Sequence, residues 1–157
     1  MNKMMSPEDK LKALGIELPE APSPLGSYVP CVQSGSLLFI SGILPLRGGA
    51  LTRTGKLGDT ITLDEAREDA RTAAINALAV VKARVGSLDA IKRCVKITGY
   101  IASSPDFTDQ PKVLNAASDF IHEIFGEAGR HARAAVGVNV LPLNSPVEIE
   151  FIFEVAV

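Results

Sequence analysis

Near the end of the chain, the stretch RHARAAVGVNVLPLNSPVEIEFIFEV (residues 130–155) sets one arginine and two glutamates inside otherwise apolar runs. Arg133 opens the first run, and Glu148 and Glu150 interrupt the second. A guanidinium can take a carboxylate with two parallel N–H bonds. A glutamate can orient or deprotonate a water. With a tyrosine and exposed strand-end backbone nearby, this combination suits a small carboxylate ligand. The same residue types equally fit a surface ion pair at Arg133 and solvent-facing glutamates at 150 and 154. Other chemistries find less support. Ser41, in ISGI, lacks the G-x-S-x-G of a nucleophile elbow. His122, between Ile121 and Glu123, reads as an ordinary surface or partly buried histidine, and no Ser-His-Asp or Cys-His triad suggests itself. Cys31 and Cys94 fall in apolar segments and read as buried free thiols. Together with His122 and His131 they show no metal-ligand spacing, so no metal is expected. The Gly-rich stretch 47–59 matches neither a P-loop nor a dinucleotide fingerprint.

The elements that must position these groups are read from composition and periodicity. The sequence has 157 residues, 46% apolar and 22% charged, with net charge −2. That suits one domain over 1–157 with a real core, residues 1–23 forming a helix and a Pro-rich connector. Aromatics are scarce at 5%, so the core should be tightly spaced and rich in Ala and Val. No basic cluster argues for nucleic acid, nothing resembles a polybasic membrane anchor, and no run nears the roughly 20 apolar residues of a membrane span. The N-terminus lacks a signal-peptide core. A cytoplasmic protein is expected.

Along the chain, SPEDKLKALG reads as a short helix capped by Ser6 and closed at Gly15. SYVPCVQSGSLLFISG reads as two strands around a Ser34-Gly35 turn, the first an edge or interrupted by Pro30. ILPLRGGALTRTGKLGDTI reads as a loop of weak order. TLDE, with Thr62 and Glu65, fits a capping box for a long helix ending near Gly86, its Ala66, Ala70, Ala73, Ala77 and Val81 forming a face that can come close to a sheet. IKRCVKITGYIAS reads as a strand, and KVLNAASDFIHEIFG as a second helix buried along Val113, Leu114, Ala117, Phe120, Ile121 and Ile124. ARAAVGVNV and VEIEFIFEV read as two final strands. The order β-β-α-β-α-β-β, with hairpins expected at both ends, gives an α+β fold: one mixed sheet with two helices on one face. In the last strand Val147, Ile149, Phe151, Phe153 and Val155 alternate with Glu148, Glu150, Ile152, Glu154 and Ala156. The second set is not simply polar, since Ile152 and Ala156 interrupt it, and this invites an oligomer packing sheet on sheet.

Four stretches together, SYVPCVQSGSLLFISGILP, LNAASDFIHEIFG, ARAAVGVNVLP and VEIEFIFEV, resemble the Rid family, also called the YjgF family and often labelled endoribonuclease L-PSP. The likeness runs from about Pro24 onward. Its most specific part is R-x-x-V-x-V-x-x-L-P followed by V-E-I-E. The resemblance implies a chorismate-mutase-like fold and a homotrimer with ligand clefts between subunits. It implies hydrolysis of reactive enamines and imines, such as 2-aminoacrylate, to 2-keto acids and ammonia, without a cofactor. It further implies that Arg133 holds the substrate carboxylate and Glu148 places the water. Tyr28, Ser41 with Gly42, and Asn115 would line the cleft, and Glu150 would be structural. The sequence departs from the family at Ala135, often Cys in active members. It also departs in GEAGRHARAAVG, which replaces the usual proline-containing approach to the arginine, in the N-terminal helix and in the longer loop. Two other readings follow: a non-catalytic trimer binding a small carboxylate or a partner protein, and a ribonuclease, against which the net negative charge and the lack of a basic, aromatic strip speak.

Overall fold

The computed structural model describes residues 4–157. Helix α1, Pro7–Ala13, starts where Ser6 accepts from the Asp9 amide and Pro7 takes the first turn. Glu8 fixes it to the rest of the chain, its carboxylate 2.8 Å from Lys82 Nζ and 3.0 Å from the Leu88 amide. Strands β1 (Cys31–Ser34) and β2 (Leu37–Ile43) form the first hairpin. Its turn is Gly35–Ser36, one residue beyond the Ser34-Gly35 expected, and Gly35 takes the positive φ the turn needs.

The Gly-rich stretch is better ordered than expected. Residues Leu46–Arg47 (β3) and Ala50–Leu51 (β4) pair as a small hairpin around Gly48 and Gly49, both at positive φ. Further along, Leu57 is fully buried, and its amide donates to Ala102 O at 2.9 Å. Helix α2 (Leu63–Val85) opens with the expected Thr62–Glu65 capping box and closes at Gly86. Its alanine face is buried as predicted, but so is a second, polar face. There Asn76 donates to the carbonyls of Leu44 and Leu46, Arg47 donates to Thr72 Oγ1, and Arg53 lies 3.2 Å from Asp69. These bonds hold the Gly-rich segment against α2.

Strand β5 (Ile91–Ala102), helix α3 (Gln110–Phe125) and strand β6 (Ala132–Val138) form a parallel strand-helix-strand unit. Strand β7 (Val147–Val155) does not pair with β6. The five-stranded sheet runs β1-β2-β7-β5-β6, so the expected C-terminal hairpin is absent and β7 inserts between β2 and β5. Composition explains this. In β7, Val147, Ile149, Phe151, Phe153 and Val155 are all buried, whereas Ala132–Val138 offers mostly Ala and Gly and stays partly exposed at the edge. The richer strand takes the centre. The eight-residue connection, 139–146, lets β7 cross the end of β5, where Ala102 N donates to Pro146 O and Ser103 N to Val138 O.

Helices α2 and α3 cover one face of the sheet. Gly99 in β5 lets Leu114 of α3 press on the strand, because a Cβ there would collide with the leucine methyls. The other face carries Val32, Phe39, Thr98, Tyr100, Val136, Glu148, Glu150 and Ile152 by register, and Val32, Phe39 and Val136 are each more than 40% exposed.

Candidate active site in two halves

Register places Arg133 beside Ile97 on the helix-covered face, at the sheet edge. Its Nη1 donates to Asn115 Oδ1 at 2.7 Å and to Ser118 Oγ at 3.2 Å, both on α3. Asn115 and Ser118 are one helical turn apart and therefore share a face. Those two bonds use both Nη1 protons. Nε–H and the Nη2 protons have no acceptor among the described residues, and that edge of the guanidinium is the one that grips a carboxylate bidentately. Ala135, two residues on, shares the face and packs on the core.

His131 completes this cluster. Its Nδ1 lies 2.7 Å from Gly129 O and its Nε2 2.9 Å from Ser118 Oγ. A carbonyl only accepts, so Nδ1 carries the proton and the neutral ring accepts at Nε2. The chain of donation therefore runs from Arg133 to Ser118 to His131 to Gly129. Burial, and then the positive charge of Arg133, keep His131 below its usual range against the opposing Gly129 bond. Ser118 and His131 were not singled out from sequence. The available signals were weak: Ser118 at i+3 from Asn115, and His131 at i−2 from Arg133.

Glu148 lies elsewhere. It sits opposite Tyr100 on the uncovered face of β7, two strands from β6 and three residues along from Phe151, the position level with Arg133, so it is offset by roughly 10 Å across the strands and roughly 10 Å along them. Its carboxylate lies against Gly42 of β2, where a Cβ would collide with it. A bulge in β2 between Ile40 and Ile43 aims this backbone at the carboxylate. The two groups, with Tyr28, Ser41, Pro30 and Pro142, line a cleft of about 420 Å³. Ser41 holds the tyrosine segment to β2, its hydroxyl donating to Val29 O at 2.7 Å and its amide to Pro30 O at 3.0 Å. Tyr28 accepts from the Leu25 amide at 3.3 Å and is half exposed. Burial, and then the charge of Glu150, raise the pKa of Glu148 above its ordinary value. Glu150 accepts from Tyr100 Oη at 2.9 Å, which pushes the tyrosine up.

The chain thus brings together Arg133 with Asn115, and separately Tyr28, Ser41 and Gly42 with Glu148. It does not bring the two groups to each other. Cys94 is buried and pushed up to about 12, while Cys31 is half-buried. Among the described residues no cluster of three potential metal ligands occurs, and no helix is long and apolar enough to cross a membrane.

A mixed α+β sheet with one helix-covered face, an arginine cluster at its edge and a carboxylate cleft on the other face defines a known class. The family described as "YjgF/chorismate_mutase-like, putative endoribonuclease" matches residues 8–155, and the chain belongs to it. Protein TCP17 of Trypanosoma cruzi is 44% identical over 92% of this chain and 91% of its own length. The 2-iminobutanoate/2-iminopropanoate deaminase of Dermatophagoides farinae is 32% identical over 87% and 92%. Among solved structures, Atu1372 of Agrobacterium tumefaciens, described as of unknown function, superposes with a TM-score of 0.89 at 44% identity, covering 96% of this chain and 92% of that one.

Proposed function

We propose that the protein is an enamine/imine deaminase that hydrolyses 2-imino acids to 2-keto acids and ammonia. We propose further that it works as a homotrimer in which Arg133 of one copy faces the Tyr28–Gly42–Glu148 cleft of the next. The observation that carries this reading is the pairing of two incomplete halves. One offers a guanidinium with its carboxylate-binding edge free. The other offers a half-buried glutamate of raised pKa in a cleft. The name of the mite relative points to the same chemistry.

In this reading the substrate carboxylate lies on Nε and Nη2 of Arg133. Glu148 takes a proton from a water as the water oxygen bonds to the imine carbon. Glu148 passes that proton to the amine nitrogen of the tetrahedral aminoalcohol, the C–N bond breaks to release ammonia, and the hydroxyl gives up its proton to Glu148, and so to solvent, as the C=O forms. The raised pKa suits a group that must accept and then return one proton. No ion is required, because a protonated imine is already electrophilic.

The test is hydrolysis of 2-iminopropanoate, generated from serine by a dehydratase, with semicarbazide trapping what is not hydrolysed. Wild type should accelerate pyruvate release. Arg133→Ala and Glu148→Gln should each reduce kcat/KM by about 100-fold or more. A wild type without effect on the trapped fraction would end the deaminase reading. Pyruvate binding without turnover would instead make the protein a carboxylate binder.

A further inference from the structure

The Ser118–His131 pair is a polar cluster beside Arg133 that the proposed reaction leaves without a task. It joins α3 to the segment that leads into β6, and each of its hydrogen bonds is satisfied. The Gly129 carbonyl fixes the imidazole tautomer, the ring nitrogen that remains bare takes the Ser118 proton, and the Ser118 oxygen is thereby turned to accept from Arg133. Gly129 is itself held rigidly, packed against the backbone of Ile121 and His122 with no space for a Cβ. The carbonyl that anchors the chain is therefore tied to α3, the helix that carries Asn115 and Ser118.

From this geometry we infer that Ser118 and His131 are positioning residues that fix the guanidinium of Arg133, and so the direction in which the site accepts a carboxylate. The inference rests on the deaminase reading for its substrate, though not for its geometry. A lone Asn115 acceptor would hold one Nη1 proton and leave the guanidinium free to swing about that bond. The second acceptor, at 3.2 Å from the same nitrogen, blocks the swing and presents Nε–H and Nη2–H together. A bare serine hydroxyl could point its proton at Arg133, which would repel it. His131 prevents that by claiming the proton.

The experiment compares wild type with Ser118→Ala, Ser118→Thr and His131→Gln. Ser118→Ala should raise KM for 2-iminopropanoate, and the Kd of pyruvate by calorimetry, about tenfold, with kcat within about twofold. Ser118→Thr keeps the hydroxyl and should recover most of the affinity. His131→Gln should fall between. Nitrogen-15 NMR reads the geometry independently of turnover. Wild-type His131 should carry its proton on Nδ1 at neutral pH, and Arg133 should show separate Nη1 and Nη2 signals that merge in Ser118→Ala. An Nε2–H tautomer, or Arg133 signals unchanged by Ser118→Ala, would overturn the inference, as would an unaltered KM in an active enzyme. If wild type neither turns over nor binds pyruvate, the deaminase reading fails alone and the NMR result decides the positioning.

Discussion

Gly42 lacks a side chain where the Glu148 carboxylate needs the space. The obstacle to a Cβ is the far end of a glutamate, not backbone, so the side chain would move before the strand did. Gly42→Ala should therefore leave the melting temperature within a degree or two while displacing Glu148 and lowering kcat by about tenfold or more. Thermal denaturation and the imine assay on the same sample check both halves of that statement, and a large loss of stability would show that the glycine serves the fold instead. Several residues of the candidate site were legible in sequence through their motifs: Arg133 and Glu148 by the R-x-x-V-x-V-x-x-L-P and V-E-I-E pattern, Gly42 and Ser41 by ISGI. Ser118 and His131 were not, because their meeting depends on how α3 lies on β6. That placement is set by Leu114 pressed over Gly99, a contact between elements that no local spacing encodes.

At the scale of elements, periodicity found the alanine stripe of α2 and missed its polar flank. Asp69, Thr72 and Asn76 look like an exposed face in sequence because their partners, Arg53, Arg47 and the carbonyls of Leu44 and Leu46, lie 16 to 32 residues away in a stretch rich in glycine. Tertiary contact overrode the local pattern there, as it did for β7, whose apolar content draws it to the centre of the sheet and away from β6. Asp69 bears the cost of this arrangement. It is buried, its Oδ2 has no donor among the described residues, and burial outweighs the nearby Arg53 to push it up to about 6. A carboxyl raised in the fold stabilises it when protonated. That contribution is complete below the unfolded value near 4 and is lost as pH rises through about 6. Asp69→Asn should remove this pH dependence and should equal or exceed wild type in stability at pH 7 by on the order of 1 kcal/mol. Arg53 keeps Glu68 at 3.1 Å and the Glu65 carbonyl as partners. Urea denaturation at pH 5 and pH 7 checks this. A variant weaker than wild type at pH 7 would mean that the Arg53 pair outweighs the burial.

For the whole molecule, the question is what covers the second face of the sheet. Phe39, Val32 and Val136 lie exposed there beside half-buried Ile152, on a surface whose centre also holds the Tyr100–Glu150 pair. A lone chain would gain nothing from phenylalanine and valines facing water, and the burial of each should contribute about 1.5–3 kcal/mol once covered. The proposed trimer covers them and also brings each Arg133 cluster towards a neighbouring cleft, so assembly and activity become one requirement. Phe39 touches neither half of the candidate site by hydrogen bond, yet Phe39→Asp should abolish both assembly and turnover. It places a charge where three sheets would meet, whereas in the free chain position 39 is 42% exposed and tolerates it. Wild type should sediment at three times the 16.6 kDa of the chain. The variant should sediment as a folded monomer with an unchanged circular dichroism spectrum, and its imine hydrolysis should fall to background. A folded, monomeric variant with full activity would show that one chain completes the site alone, and the pairing of Arg133 with Glu148 across copies would have to be abandoned.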